Sequence, residues 1–170
     1  MTTRFTLAIC GVLLLAGAAT LAARTEVARI ERNDERPVVF VCLNGVAMSV
    51  WSAAYFNRLA AARGLPERAI ARASIPSYTA VPLSMKLGLA IDGFRVGDFR
   101  PLVMDEEDAR SAALVVAIDT ELPERARSTH SVVERWNGFP PMREQYFPSR
   151  AALKMRVERL VERLAATHQP

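Results

Sequence analysis

A chain of 170 residues, 51% hydrophobic and 24% charged, holds one globular domain with a short remainder and is neither disordered nor fibrous. Its 22 basic and 18 acidic side chains leave a net charge of +4, and the basic ones, almost all arginine, are scattered among acids with no block suited to a nucleic-acid arm. Two cysteines, Cys10 and Cys42, exclude a disulfide scaffold and a multi-cysteine zinc site, and with only His130 and His168 no histidine-based metal chemistry is expected.

After Met1-Thr2-Thr3-Arg4 an apolar run extends from Phe5 to Ala23. A short basic head, an apolar stretch and small residues at Thr20 and Ala22 read as a secretory signal peptide over 1–23, which implies an exported domain. The alternative is an uncleaved inner-membrane anchor, because about nineteen apolar residues just cross a bilayer. Arg24, Arg29, Arg32 and Arg36 follow the run, and positive-inside counting then turns the domain toward the cytoplasm. Residues 24–36 alternate charges of both signs without an apolar face and read as a solvated linker. The folded domain is expected over 37–167.

Pro37 to Val41 is a β-branched and aromatic run of the kind buried on both faces of a sheet. From Ser49 to Arg63 apolar positions recur at helical spacing, and Gly64 ends the helix as a cap. Ile70 to Ser74 predicts a second strand and Pro82 to Ala90 a second helix. Asp105-Glu106-Glu107-Asp108 opens a short helix; acids in a first turn oppose the helix dipole, which accounts for them better than a cation does. Ala113 to Ile118 predicts a buried strand, and Ser131 to Trp136 a last one. Trp51 and Trp136 read as core residues, and Glu124 to Arg127 as a solvated helix face. Pro148-Ser149 is expected to cap a long terminal helix with the stripe Leu153, Val157, Leu160, Val161 and Leu164, leaving His168 in a fraying tail. Strands alternating with helices predict an α/β fold: one doubly wound domain whose parallel sheet of about four strands carries helices on both faces. Ligands of such sheets bind beyond the carboxyl ends of the strands.

The first strand-to-helix turn, Cys42-Leu43-Asn44-Gly45-Val46-Ala47-Met48-Ser49, is the candidate site. Successive N–H groups entering a helix form a nest for an oxyanion, and the same field favours a thiolate at Cys42. A free cysteine closing a strand also serves simply as a small buried apolar residue, and its position leaves both readings open.

Val38-Val39-Phe40-Val41-Cys42, with the glycine-containing turn, Ser49 and an amphipathic helix, resembles the signature of low-molecular-weight protein tyrosine phosphatases and of the related thioredoxin-coupled arsenate reductases. Arg100-Pro101-Leu102 is similar to their Ala-Arg-x-Leu segment, and Val116-Ala117-Ile118-Asp119 to their strand ending in Met-Asp or Val-Cys. The resemblance extends over most of Pro37 to Ala166. It implies a nucleophilic thiolate at Cys42, supported by Ser49, and an oxyanion cradle from residues 43–48. In that family an arginine six residues after the cysteine clamps the phosphoryl oxygens, and an Asp-Pro acid protonates the leaving group.

The chain departs from that pattern. Met48 stands at the arginine position, the loop reads Asn44-Gly45 in reversed order, and Asn137-Gly138-Phe139-Pro140-Pro141 carries no acid after Trp136. Asp119 and Glu144 are the remaining candidate proton donors. Asp119 stands at the first reductase thiol position and no cysteine follows, which excludes the usual thiol-relay arsenate reduction. The reading is therefore a catalytically impaired phosphatase-like protein with a binding or thiol role; the alternative is an active cysteine-dependent phosphomonoesterase with an atypical loop. No cofactor or metal is implied. The expected partner is a phosphate-type oxyanion or phosphoprotein, not nucleic acid, with membrane contact only through the N-terminal segment.

Overall fold

The structure, a computed structural model, describes residues 36–127 and 131–168. The leader, its Cys10, the linker up to residue 35, and His130 lie outside the described residues.

Four strands, β1 (Val38–Cys42), β2 (Ala69–Ala73), β3 (Leu114–Ile118) and β4 (Val133–Trp136), form one sheet in the order β2-β1-β3-β4. Every pairing is parallel. All five β1 side chains are buried, as a central strand covered on both faces requires. Their period of two divides them: Val38, Phe40 and Cys42 point into one core, Val39 and Val41 into the other. The first core is covered by α2 (Met48–Ala62), α3 (Leu83–Ile91) and α6 (Tyr146–Thr167), the second by α4 (Glu106–Ser111) and α5 (Glu124–Arg127).

Phe40 holds the larger core together, with ring centroids 6.0 Å from Phe56 and 5.7 Å from Trp136. Trp51 and Trp136 are each 1% exposed, as core residues should be. The chain passes from β1 outward to β2 and then back across β1 to β3, which makes the β1/β3 boundary the switch point of the sheet. The register sets Cys42 opposite both Ala73 and Ile118, and Ile118 opposite Trp136. Cys42, Ser74, Asp119 and Asn137 therefore stand at or just beyond the carboxyl ends of the strands.

Most expected elements form within one or two residues of their predicted bounds, and three details differ. The terminal helix begins at Tyr146, not at Pro148-Ser149. Those two residues lie within the first turn, where the missing N–H of a proline has no helical partner to lose. His168 is tied down, its Nε2 meeting the carboxylate of Glu67. The acidic run has structural partners: Asp105 and Asp108 form a reciprocal capping box, Asp108 pairs with Arg72 at 2.7 Å, and Glu106 and Glu107 both pair with Arg110. Among the described residues no group of three or more His, Cys, Asp or Glu side chains gathers as a metal site would.

Two phenols join the helices of the larger core. Tyr146 donates to Asp92 Oδ2 at 2.8 Å and Tyr55 to Glu158 Oε1 at 2.8 Å. Burial, reinforced by these carboxylate partners, raises both phenols, Tyr55 to about 12. An unfolded tyrosine ionises near pH 10, so above that pH the unfolded chain has shed protons that the folded one retains. Stability from these contacts is thus full below about pH 10 and is lost as the pH rises through about 12. Urea midpoints should accordingly fall between about pH 9 and about pH 11, and Tyr55→Phe should flatten that fall. An unchanged slope in the variant would remove Tyr55 from the account.

Candidate active site

β1 ends in Cys42 and α2 begins at Met48, so the turn between them spans 43–47. The turn is held against the neighbouring strand end. Ser74 N donates to the carbonyls of Cys42 and Leu43, and Ile75 N donates to that of Leu43. Gly45 makes the closest approach, with φ at +65°; a Cβ there would stand 2.8 Å from that of Ala73 and 2.9 Å from its amide nitrogen. This glycine is required twice, for its backbone conformation and for the space it leaves. The N-cap of α2 is Ala47, which has no side chain able to accept from the first-turn amides, so the helix presents them without a side-chain cap.

Cys42 is 3% exposed and free of any disulfide. Its Sγ lies 3.1 Å from Ser49 Oγ, and Ser49 is itself fully buried in the first turn of α2. These are the two residues for which the sequence resemblance implies a nucleophile and a supporting hydroxyl. A hydroxyl in this place can donate to the sulfur.

Above the sulfur a pocket of about 210 Å³ is lined by Cys42, Leu43, Asn44, Val46, Ala47 and Met48 on one side. Asp119, Pro141, Met142, Arg143 and Glu144 close the other. The fold thus brings together nearly all the predicted site residues. Ser49 sits behind Cys42, and Gly45 turns toward Ala73. Met48 lines the pocket as a thioether where an oxyanion clamp would reach in. Arg100 lines a separate depression with Thr79 and Lys86 and supplies no guanidinium to this one.

Asp119 is engaged elsewhere. Its φ is +45°, the only left-handed non-glycine residue described, and its two oxygens accept from Gly138 N at 2.7 Å and Phe139 N at 2.9 Å. It therefore fastens the β4 exit loop to the end of β3. Asp119→Ala should cost about 1–2 kcal/mol through the two unpaired amides, read as a lower urea midpoint. No loss of stability would mean the loop is held by other contacts.

Sequence reasoning missed Arg143. Among the described residues it is the one cationic side chain lining the pocket, and its Nη1 donates to Tyr78 Oη at 3.0 Å. Nothing in its spacing from Cys42 announced it; it arrives because Pro140-Pro141 turns the segment after β4 back across the strand ends. Glu144 comes with it and is exposed.

The same fold occurs in known structures. YfkJ from Bacillus subtilis superposes with a TM-score of 0.67 at 19% identity, covering 79% of this chain and 98% of the other. A low molecular weight protein tyrosine phosphatase from Bacillus subtilis gives 0.64 at 18%, covering 78% and 99%. An arsenate reductase in a phosphate-binding state gives 0.62 at 17%, covering 76% and 98%. No protein-family model and no curated protein matches the sequence. The described domain thus has the fold of low-molecular-weight tyrosine phosphatases and arsenate reductases.

Proposed function

We propose that the domain is a catalytically impaired phosphatase-like protein that holds a phosphate-type oxyanion, free or on a phosphoprotein, over Cys42 without turning it over. The observation that carries this reading is Met48, an uncharged side chain lining the pocket where the cradle needs an arginine. Such an arginine is worth about 10³–10⁵ in the rate of phosphoryl transfer, and a general acid about 10²–10⁴. Both are missing from their expected positions. Effects within one site are not additive, yet the loss of both leaves little catalysis. What remains suits binding: the glycine turn, the uncapped first turn of α2 and the buried Cys42–Ser49 pair. The structurally similar arsenate reductase in a phosphate-binding state supports the ligand class.

The test is hydrolysis of p-nitrophenyl phosphate by the full chain beside its Cys42→Ser variant. Indistinguishable rates are expected; steady turnover that the substitution abolishes would overturn the reading. Binding has its own readout, the rate of Cys42 alkylation, which phosphate or sulfate should slow.

One observation favours the alternative, an active cysteine-dependent phosphomonoesterase with Ser49 supporting the thiolate. Arg143 and Glu144 line one pocket with Cys42, a cation and an acid of the chemical types such a reaction uses. In that case Cys42 attacks phosphorus, Glu144 protonates the departing oxygen, and water then releases phosphate from the sulfur. Acid-quenched phosphocysteine on Cys42, lost in Arg143→Ala, would establish it.

A further inference from the structure

Helix α3 is apolar on two sides. Met85, Gly88 and Leu89 face the core, and Gly88 lies so close to the Tyr146 ring that a Cβ would stand 2.5 Å from it. Leu83, Leu87 and Ile91, spaced i, i+4 and i+8, point the other way and are 72%, 60% and 67% exposed. Phe147, the residue after that ring, is 58% exposed. Large apolar side chains clustered in this way on a surface mark a contact face.

The C-terminal end of the stripe opens into a pocket of about 340 Å³ that also includes Ile91. Three cations line it: Arg58 from α2, and Arg150 and Lys154 from α6. Arg150 and Lys154 follow Phe147 at i+3 and i+7, so the exposed ring and both charges share one face of α6. Two carboxylates oppose them. Asp92 accepts from Trp51 Nε1 and Tyr146 Oη and lies 2.7 Å from Arg150 Nε; Glu158 accepts from Tyr55 and stands 3.8 Å from Lys154. Arg58 is held over the Phe94 ring, 4.0 Å from its centroid, with Nη2 bonded to the Asp92 carbonyl. Arg58 and Lys154 are exposed and Arg150 is half-buried, so all three cations remain partly open to solvent beside these partners.

We propose that this face rests on an anionic bilayer, with Leu83, Leu87, Ile91 and Phe147 entering the interface and a lipid phosphate seated among Arg58, Arg150 and Lys154. Charge complementarity argues for lipid over a second copy of the chain, whose identical face would oppose the same cations. An interfacial helix combines just such an apolar stripe with flanking cations, and basic side chains near an anionic surface strengthen its hold. The anchor alternative for Phe5–Ala23 would, if that segment is retained, tether the domain to a bilayer through residues 24–36. The inference concerns a surface remote from Cys42 and stands or falls apart from the catalytic reading.

The full chain in nanodiscs carrying a spin-labelled lipid tests it by NMR. In discs of phosphatidylglycerol, the methyl signals of Leu83, Leu87 and Ile91 should lose most of their intensity while those of Leu102 and Val132 keep theirs. Phosphatidylcholine discs should weaken the effect, and Leu87→Asp with Ile91→Asp, both at exposed positions, should abolish it. Lys154→Glu should reduce the difference between the two lipids. Unchanged stripe signals in anionic discs, or equal losses at Leu102 and Val132, would overturn the proposal. So would concentration-dependent broadening without lipid, which would assign the face to a second copy. Inorganic phosphate shifting the Arg58 and Lys154 signals, with no response to discs, would assign the pocket to a free anion and overturn it equally.

Discussion

Met48→Arg should raise the rate of p-nitrophenyl phosphate hydrolysis by about 10² or more, the lower end of what an arginine clamp supplies after discounting for a site not shaped around it. Methionine already occupies the first helical position of α2 and lines the pocket, so a side chain of similar reach enters the same space. p-Nitrophenolate departs without needing a proton, so this substrate isolates the missing clamp from the missing acid. An alkyl phosphate, which does need the acid, should respond much less. The new guanidinium should also strengthen phosphate protection of Cys42 against alkylation. A folded Met48→Arg protein with an unimproved rate would mean that the defect lies in the sulfur or in the shape of the cradle, not in the lost charge.

Gly45→Ala carries the largest expected cost in stability. A left-handed conformation costs an ordinary residue about 1–2 kcal/mol. Forcing a methyl group to within 2.8 Å of Ala73 Cβ and 2.9 Å of its amide adds about 1–3 kcal/mol. Together these take a large share of the 5–15 kcal/mol that typically holds a domain folded. Gly64 provides the control: its φ is +66° but nothing lies within 4 Å of the added Cβ, so Gly64→Ala should show the conformational cost alone. Ala73→Gly should rescue Gly45→Ala only in part, because the backbone of residue 73 is itself in the way. Equal destabilisation at positions 45 and 64 would show that crowding against Ala73 contributes nothing.

The sheet was legible because its central strands are short β-branched runs with no polar interruption, Val38–Cys42 and Leu114–Ile118, and these can only be buried. Once those strands are parallel and adjacent, their register places Cys42 at their carboxyl end, where chemistry is expected. The terminal helix was legible in its stripe but not in its start, since Tyr146 and Phe147 carry no capping signal. The far wall of the pocket was hidden. Arg143 and Glu144 come to line the Cys42 pocket through the turn at Pro140-Pro141, and Asp119 binds amides about twenty residues away; neither arrangement leaves a local pattern. The exposed face of α3 was equally hidden, because Leu83, Leu87 and Ile91 have the same chemistry as the Met85 and Leu89 that enter the core. Periodicity identifies a helix there without saying which of its two apolar sides is covered.

The most direct measurement is a single turnover in which concentrated protein is mixed with p-nitrophenyl phosphate and the first release of p-nitrophenolate is followed in a rapid-mixing instrument. That release reports attack by the Cys42 sulfur on phosphorus, before any later hydrolysis can limit the signal. A cradle without its arginine should give no burst above that of Cys42→Ser. A burst approaching one product per protein chain would mean that the sulfur attacks phosphorus readily in the native pocket, and would contradict the account.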